Sequence, residues 1–468
     1  MKADTAKTAE TAPAHSEALA AFCAGLRADE IPSHIRHRLK LHLMDTVGAA
    51  LAGTRSTEFR AAQIIAATGP AFLLGTCQPA AARDAALVNG IAAHVFELDD
   101  SGGCDHTGAV VLPALLAALS GSDGSVNGAD FLAALCAGYE VGRRILDASG
   151  GYGVHNGAGW HSTGTCGTLA AAAAVSRLRR YDRQMTHHAI TLATSFSSGL
   201  WAFIHDGSQA KKIHAGRAAE GGLLAADLAR AGIKGPSCVF DDVWGGFFRS
   251  YARVEAKPVE LSSNLGQDWK IERASLKPYA ACRGAHSAID AVADMLAERG
   301  VSAAEVATID LRLSPFLMDM CGKAQLDTLA GAQMSLGYAL AAQKIFGEVG
   351  LSQYAAKARR DPRIASFLPQ IRFHPDPAME QMSEPIVTLT FSDGSQTSHM
   401  VPRATGSSER PMRDTAIREK FDTLAGMVLD ADQYSRLAAF LTTIEEQPDC
   451  WKLMTLLTAN GLSRPIFS

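Results

Sequence analysis

The feature that most constrains the fold of this chain is a set of helix-forming segments that are apolar on nearly every side. Leu169-Ala-Ala-Ala-Ala-Ala-Val175 is the clearest of them, because no position in it offers a polar face. A helix that is hydrophobic all round is buried in a large core or a membrane, and this run is too short to span a bilayer. The pattern therefore predicts a large bundle with helices in its interior.

Apolar residues recur with helical spacing through most of residues 15–265. The first clear helix begins at residues 31–34, where Pro32 suits the first turn, and it ends at Gly53. Further helices are predicted at 82–96, 110–119, 129–146, 168–178 and 218–228.

The pattern changes after about residue 265. Residues 306–313 alternate with period two, as a half-buried strand does, and residues 386–401 form a hairpin pattern around Asp393-Gly394. Helices are predicted between them at 287–298 and 333–346, and again from 409 to about 457. The prediction is a mainly α protein in which a smaller α+β lid domain is inserted into a large all-α helical domain. The predicted boundaries are a disordered tail at 1–14, a helical domain at 15–267 and 405–468, and a lid at 268–404.

Composition excludes several classes of function. The chain has 468 residues, of which 47% are hydrophobic and 20% charged, as in an ordinary globular protein. Its net charge of −4 gives no basic field for nucleic acid or acidic lipid. The nine cysteines are scattered without a CxxC pair, which predicts free thiols in a reducing compartment. The N-terminus lacks the apolar core of a signal peptide, so we predict a cytoplasmic protein without nucleic-acid or membrane partners.

Four segments concentrate titratable side chains among glycines, and cations at helix starts suit an anionic ligand. They are Asp99-Asp100 to His106, Gly159-Trp160-His161, Lys211-Lys212-Ile213-His214, and Lys277 to His286. Each also has a simpler interpretation. The first can be a capped helix start, His161 a buried core histidine, and Lys212 part of a basic surface turn; the segment from Lys277 to His286 can be an exposed linker between domains. Together they predict one composite acid–base site.

In this order the segments resemble the MmgE/PrpD family over about residues 15–460. The matching stretches are Leu43-Met-Asp-Thr-Val-Gly48, Leu87-Val-Asn-Gly-Ile-Ala-Ala-His94, Asp99-Asp100 with His106, Gly138-Tyr-Glu-Val-Gly142, Trp160-His161-Ser-Thr-Gly164, Lys211 to Arg217, Phe240-Asp-Asp242 and Lys277-Pro-Tyr279.

The resemblance implies a cofactor-independent enzyme that acts on small di- or tricarboxylates, without a metal, as a homodimer with a helical domain and a lid. Family members include 2-methylcitrate dehydratase, cis-aconitate decarboxylase and iminodisuccinate epimerase. By position in the motifs, the implied catalytic residues are Asp100, His106, His161, Lys211 and Lys277. The implied substrate-binding residues, which lie beside them, are Lys212, Tyr279, Arg283 and His286.

The shared chemistry is proton movement at a carbon next to a carboxylate. We expect Lys277 and Arg283 to hold carboxylates, Lys211 and a histidine to exchange the proton, and Asp100 to orient a histidine. This set of residues is compatible with epimerisation, dehydration and decarboxylation, and does not distinguish among the three reactions. The leading hypothesis is an epimerase of the iminodisuccinate type, with dehydratase and decarboxylase as the alternatives. The second class of function hypothesis is a non-catalytic binding protein with the same fold. Cys104, Cys166 and Cys282 are predicted to be small packing residues.

Overall fold

The computed structural model describes residues 14–122, 124–252, 256–323 and 325–458. The tail predicted at residues 1–14 lies outside these ranges, apart from residue 14. About 59% of the chain is helical and 7% is strand, which confirms the mainly α class.

The first part of the chain is helical, apart from a short antiparallel pair formed by β1 (Ala71–Phe72) and β2 (Pro79–Ala80). Its helices are α1 (His15–Gly25), α2 (Ser33–Gly53), α3 (Thr57–Gln63), α4 (Ala82–His94), α5 (Thr107–Leu119), α6 (Gly128–Ala148), α7 (Gly151–Gly157), α8 (Ser162–Leu178), α9 (Arg183–Ala193), α10 (Ala210–Arg230) and α11 (Phe247–Tyr251).

Helix α8 lies at the centre of this part and is buried along its whole length, as its apolar run predicts. It packs against α5, α6, α9 and α10. Small residues bring α8 and α10 together: a Cβ at Gly222 would lie 2.4 Å from the Cβ of Ala171. The helix begins at Ser162, six residues before its predicted start at 168. Its first turns tolerate hydroxyls because they bond within the helix; Thr168 Oγ1, for example, donates to the carbonyl of Gly164 at 2.7 Å.

The later part contains a four-stranded sheet in the order β4–β3–β5–β6. Its strands are β3 (Val306–Leu313), β4 (Ile371–Pro375), β5 (Ile386–Phe391) and β6 (Gln396–His399). Strand β3 pairs parallel to β4 and antiparallel to β5, and β5 pairs antiparallel to β6. The predicted strand and hairpin are confirmed, with Gly394 at a φ of +83° in the turn.

The remaining helices surround the sheet or return to the first part of the chain. They are α12 (His286–Arg299), α13 (Pro315–Cys321), α14 (Leu329–Gln333), α15 (Leu336–Phe346), α16 (Ala356–Arg359), α17 (Pro362–Phe367), α18 (Asp414–Ala425), α19 (Ala431–Thr442) and α20 (Trp451–Leu456). The helix predicted at 333–346 begins three residues later, as α15 at Leu336, because the Ser335 side chain caps its start by accepting from the N–H of Tyr338.

Two hydrophobic clusters underlie these elements. One joins residues 19–274 to residues 421–457, so the C-terminal helices pack on the first part of the chain. The other is built mainly from residues 280–401. The exact domain boundaries stay a prediction. Within the described ranges, none of the helices has the length and apolar character needed to cross a membrane.

Candidate active site

A buried glutamate that the sequence did not single out lies at the centre of the site. Helix α4 ends at His94, and Glu97 follows in the left-handed region with a φ of +55°. Its Oε1 lies 2.7 Å from Lys211 Nζ and 2.5 Å from Lys212 Nζ, and its Oε2 lies 3.0 Å from Lys277 Nζ. Three ammonium groups from two distant segments therefore converge on one carboxylate.

The two adjacent lysines lie in the first turn of α10. This helix begins at Ala210, eight residues before its predicted start at 218. Lys211 and Lys212 are only 3% and 1% exposed, so the interpretation of Lys212 as part of a basic surface turn is wrong. A buried ammonium is costly unless it is paired, and Glu97 supplies the negative charge that makes burial of both possible.

The charges of this cluster influence one another strongly. Burial raises the pKa of the Glu97 carboxyl, but the three lysines together hold that pKa well below its ordinary range. Burial lowers the pKa of Lys211 and of Lys277, yet the Glu97 carboxylate outweighs it and leaves both pKa values raised. Lys212 differs, because burial and repulsion from Lys211 leave its pKa lowered despite its short contact with Glu97. Lys211 and Lys277 are thus the two lysines of the site whose charged form is stabilised.

A second cluster of imidazoles and carboxylates lies beside the first. His106 Nδ1 is 2.9 Å from Asp99 Oδ2, and its Nε2 is 3.6 Å from Asp105 Oδ2. Asp99 also contacts His94 Nδ1 at 3.1 Å. Burial lowers the pKa of His106, but Asp105 and Asp99 outweigh it and raise that pKa above its ordinary value. The two carboxylates therefore favour the imidazolium form of His106.

His161 shares Asp105 with His106, but its pKa is shifted in the opposite direction. It is the residue that precedes α8, and its Nε2 lies 3.4 Å from Asp105 Oδ2. Its Nδ1 lies 2.9 Å from Nδ1 of His214. Burial lowers the pKa of His161 to about 3, so this imidazole is neutral. Asp105 itself has a φ of +90°, which turns its carboxylate towards both rings.

Both clusters border a cavity of about 340 Å³. Its wall includes Glu97, Asp105, His106 and Lys211 from the helical part, and Cys282, Arg283, Phe316 and Met320 from the later part. The cavity combines cations, an imidazole with a raised pKa and an apolar surface. That combination suits a small organic anion that must gain or lose a proton.

The prediction that Asp100 orients a site histidine needs correction. The Asp100 carboxylate accepts from the N–H of Gly108 at 2.9 Å and from the hydroxyl of Tyr139 at 2.5 Å, so it caps the start of α5. Only its backbone carbonyl contacts His106, at 2.9 Å from Nδ1. The carboxylate that pairs with His106 is the preceding residue, Asp99, because the turn directs adjacent side chains to opposite sides.

The predicted substrate-binding residues in the segment from Lys277 to His286 do not all lie at the cavity. Arg283 lines the cavity and donates to Glu384 at 2.9 Å. The Tyr279 hydroxyl instead donates to Asp290 at 2.6 Å, and His286 Nε2 lies 3.2 Å from the carbonyl of Ala281. Neither Tyr279 nor His286 is part of the cavity wall. A role for these two in substrate binding stays a prediction.

The three cysteines near the site also differ from one another. Cys104 and Cys166 are buried, and burial raises the pKa of both thiols, as expected of packing residues. Cys282 lines the cavity, where a hydrogen bond with Cys321 lowers its pKa, burial opposes that effect, and Lys211 adds to it. Cys282 therefore differs from the prediction of a simple packing residue, because its side chain borders the cavity.

Two groups in the second cluster have the composition of a metal site. His94, Asp99 and His106 form one, and Asp105, His106 and His161 form the other; in each, the ligand atoms lie within 4.8 Å of one another. The family resemblance implies catalysis without a metal, and this stays a prediction. The same contacts are accounted for by the imidazole–carboxylate pairs.

Comparison with known proteins identifies the family of this chain. The model of the MmgE/PrpD N-terminal domain matches residues 17–259, and that of the C-terminal domain matches residues 279–446. The chain belongs to the MmgE/PrpD family. The second cluster, together with Glu97, Lys211 and Lys212 of the first, lies in the segment that matches the N-terminal domain. Lys277 lies between the two matched segments.

Several curated members of the MmgE/PrpD family align along almost the whole chain. A cis-aconitate decarboxylase-like protein of Aspergillus oryzae is 29% identical over 92% of this chain and 95% of its own length. Cis-aconitate decarboxylase of Aspergillus terreus is 26% identical over 93% and 94%, and that of Homo sapiens is 27% identical over 94% of each chain. The family prediction is confirmed, whereas the epimerase hypothesis gains no support from these relatives.

Proposed function

We propose that this protein is a lyase that decarboxylates a small unsaturated tricarboxylate of the cis-aconitate type. The relatives favour this alternative over the epimerase hypothesis. The observation that carries the proposal is His106, which is held between Asp99 and Asp105 in the wall of a cavity that Lys211 also lines. A proton donor next to buried cations suits such a decarboxylation.

Carboxylate binding is the first task of the site. Glu97 neutralises only one of the positive charges around it. Because the charged forms of Lys211 and Lys277 are both stabilised, the cluster keeps a net positive charge. Carboxylates of the substrate can therefore replace or share the contacts of Glu97. Arg283 adds a further cation at the cavity wall. Fixed cations in a site that excludes water stabilise a developing anion better than water does.

Proton transfer is the second task. The bond between carbon and the departing carboxylate breaks, and its electron pair forms a new carbon–carbon double bond. The former double-bond pair then takes a proton at the distal carbon, and CO2 leaves. His106 donates that proton, because it lies in the cavity wall, Asp99 fixes its Nδ1, and the neighbouring carboxylates raise its pKa and so favour the imidazolium. General acid catalysis of this kind contributes about 10²–10⁴-fold to a rate.

The two imidazoles also fit a proton exchange without loss of CO2. The pKa of His106 is raised and that of His161 is lowered, so His106 suits the role of donor and His161 that of acceptor. An epimerase or a dehydratase would use the same pair. These reactions remain second candidates, and they give different products in the experiment below.

The test is incubation of the purified protein in D2O with cis-aconitate, 2-methylcitrate and iminodisuccinate isomers, followed by NMR and CO2 measurement. We expect one CO2 and one carbon-bound deuterium for each molecule of unsaturated dicarboxylate formed from the tricarboxylate. Stereoisomers that interconvert with deuterium uptake and without CO2 would establish an epimerase instead. A new double bond formed from 2-methylcitrate without CO2 would establish a dehydratase.

The family resemblance also leads us to propose a homodimer. Light scattering on the eluting protein would measure twice the mass of the chain if this is correct. A mass equal to one chain at micromolar concentration would contradict it.

A further inference from the structure

Lys420 ties together parts of the molecule that are far apart in sequence. It lies on α18, in the C-terminal group of helices, and its side chain is 11% exposed. Its Nζ donates to Asp45 Oδ1 at 2.6 Å, to the carbonyl of Leu98 at 2.6 Å and to the carbonyl of Lys277 at 2.8 Å. An ammonium has three N–H donors, so all of them are used.

The two carbonyls belong to two of the three segments that build the first cluster of the site. Leu98 lies between Glu97 and Asp99, the carboxylates that contact the lysines and His106 respectively. Lys277 is itself one of the three lysines on Glu97. The same two segments run side by side a few residues further on, where Ser101 and Ser275 exchange backbone hydrogen bonds of 2.9 and 2.7 Å.

The backbone at this junction needs external support. Glu97 has a left-handed φ, which an ordinary residue adopts only when its surroundings hold it there. Asp45 is fully buried on α2 and supplies the charge that keeps the Lys420 ammonium in place. A displacement of about 1 Å at reacting groups costs roughly 10²-fold in rate. A change in the positions of the Leu98 and Lys277 carbonyls would therefore shift the neighbouring side chains of the site.

We propose that Lys420 is a positioning residue, which with Asp45 fixes the main chain of the Glu97–Asp99 turn against that of Lys277. Lys420 touches no reacting atom in this scheme. The activity part of the inference rests on the proposed function, whereas the structural part does not.

The test compares Lys420→Met with Arg177→Met. Arg177 is also a buried cation that donates to a carbonyl and a carboxylate, those of Leu26 at 2.5 Å and Asp130 at 2.9 Å. It lies near the end of α8, about 24 Å along the helix from His161. Both variants remove donors and keep an apolar stem, and both are expected to lower Tm. Only Lys420→Met is expected to lower kcat at saturating substrate, by at least tenfold, and Lys420→Arg is expected to restore part of it.

Amide hydrogen exchange supplies a second measurement that needs no substrate. Exchange in residues 97–106 and 275–282 should rise in Lys420→Met and stay at the wild-type rate in Arg177→Met. Unchanged exchange there, or a kcat within twofold of that of Arg177→Met, would overturn the proposal. If the wild-type protein releases no CO2 from the tricarboxylate, the proposed function fails while the exchange comparison still decides the role of Lys420.

Discussion

Two buried glutamates in the helical part of this protein show how the same side chain serves a fold and a site. Glu140 accepts from Arg144 Nε at 3.0 Å and from the N–H of Lys270, and burial leaves its pKa raised. Glu97 contacts three lysines, and its pKa is held well below the ordinary range. Glu140 is matched by a single close cation, whereas Glu97 has more cations than it can neutralise. The excess of lysines around Glu97, beside the cavity, is typical of a ligand site. The Glu140–Arg144 pair, in which the charges balance, is typical of a structural contact.

The largest expected effect concerns the matched pair. Arg144→Met should lower the free energy of unfolding by about 3–5 kcal/mol, because it leaves the Glu140 carboxylate buried without its partner. Urea denaturation measures this loss. The folded fraction should keep wild-type kcat, since Arg144 also holds the carbonyls of Ser263 and Asp268 rather than any residue of the cavity. A large fall in kcat at full folding would show that the two glutamates are not separate in function.

Removal of a cation from the excess cluster should have the next largest effect. Lys211→Met is expected to lower kcat/KM by about 10²–10³-fold, the usual loss when one fixed donor to a developing anion is removed. Steady-state release of CO2 measures it. Lys40→Met is the matched control, because Lys40 pairs with Glu445 at 3.0 Å and is 20% exposed. Equal activity of the two variants would contradict the assignment of Lys211.

A smaller effect should separate Asp99 from its neighbour Asp100. His106 faces the carboxylates of Asp99 and Asp105, the rings of His94 and His161, and the positive charge of Lys277. Its raised pKa means that the imidazolium, and with it activity, is present at low pH and is lost as pH rises through that value. Asp99→Asn removes one stabilising charge and should move the decline of kcat/KM to lower pH by about one unit.

Asp100→Asn is the control for that measurement. The Asp100 carboxylate contacts Tyr139 and Gly108 rather than the His106 ring, so this variant should leave the position of the decline unchanged. A shift in Asp100→Asn and none in Asp99→Asn would restore the assignment made from the sequence.

The smallest expected effect concerns Tyr279. Tyr279→Phe removes a hydroxyl that donates to Asp290, at a place outside the cavity wall. We expect KM to change by less than about twofold and stability to fall by about 1 kcal/mol, the usual contribution of such a hydrogen bond. A tenfold rise in KM would instead confirm the predicted contact of Tyr279 with substrate.

Local patterns in the sequence were sufficient for most elements of the fold. The helix that ends at Gly53, the strand at 306–313 and the Asp393-Gly394 hairpin depend on periodicity and turn chemistry, which neighbouring residues determine. Strand β4 was missed, because the five residues Ile371–Pro375 are too short to show an alternation and depend on pairing with β3. Helix α10 was predicted to begin too late, because Lys211 and Lys212 look like surface residues when Glu97 is not known to face them.

The site shows the same limit more sharply. Sequence motifs indicated both histidines and all three lysines, because those residue types stand out among glycines. They could not indicate Glu97, whose importance comes from partners 114 to 180 residues away in the chain. They also could not separate Asp99 from Asp100, since one residue of register in a turn decides which carboxylate faces His106. Contacts between distant segments are what a single sequence leaves open.

The separation of those partners has a consequence for synthesis of the protein. Glu97 cannot meet Lys277 until more than half of the chain has left the ribosome, and Lys420 follows much later. Until then, at least one of the charges destined for the interior stays in water, because an unpaired buried ammonium is too costly. The junction of α4 and α10 should thus be among the last places to close as the nascent protein folds. A chain that ends before Lys277 would contain Glu97, His106 and Lys211 but would lack Lys277 and Lys420, which complete this junction.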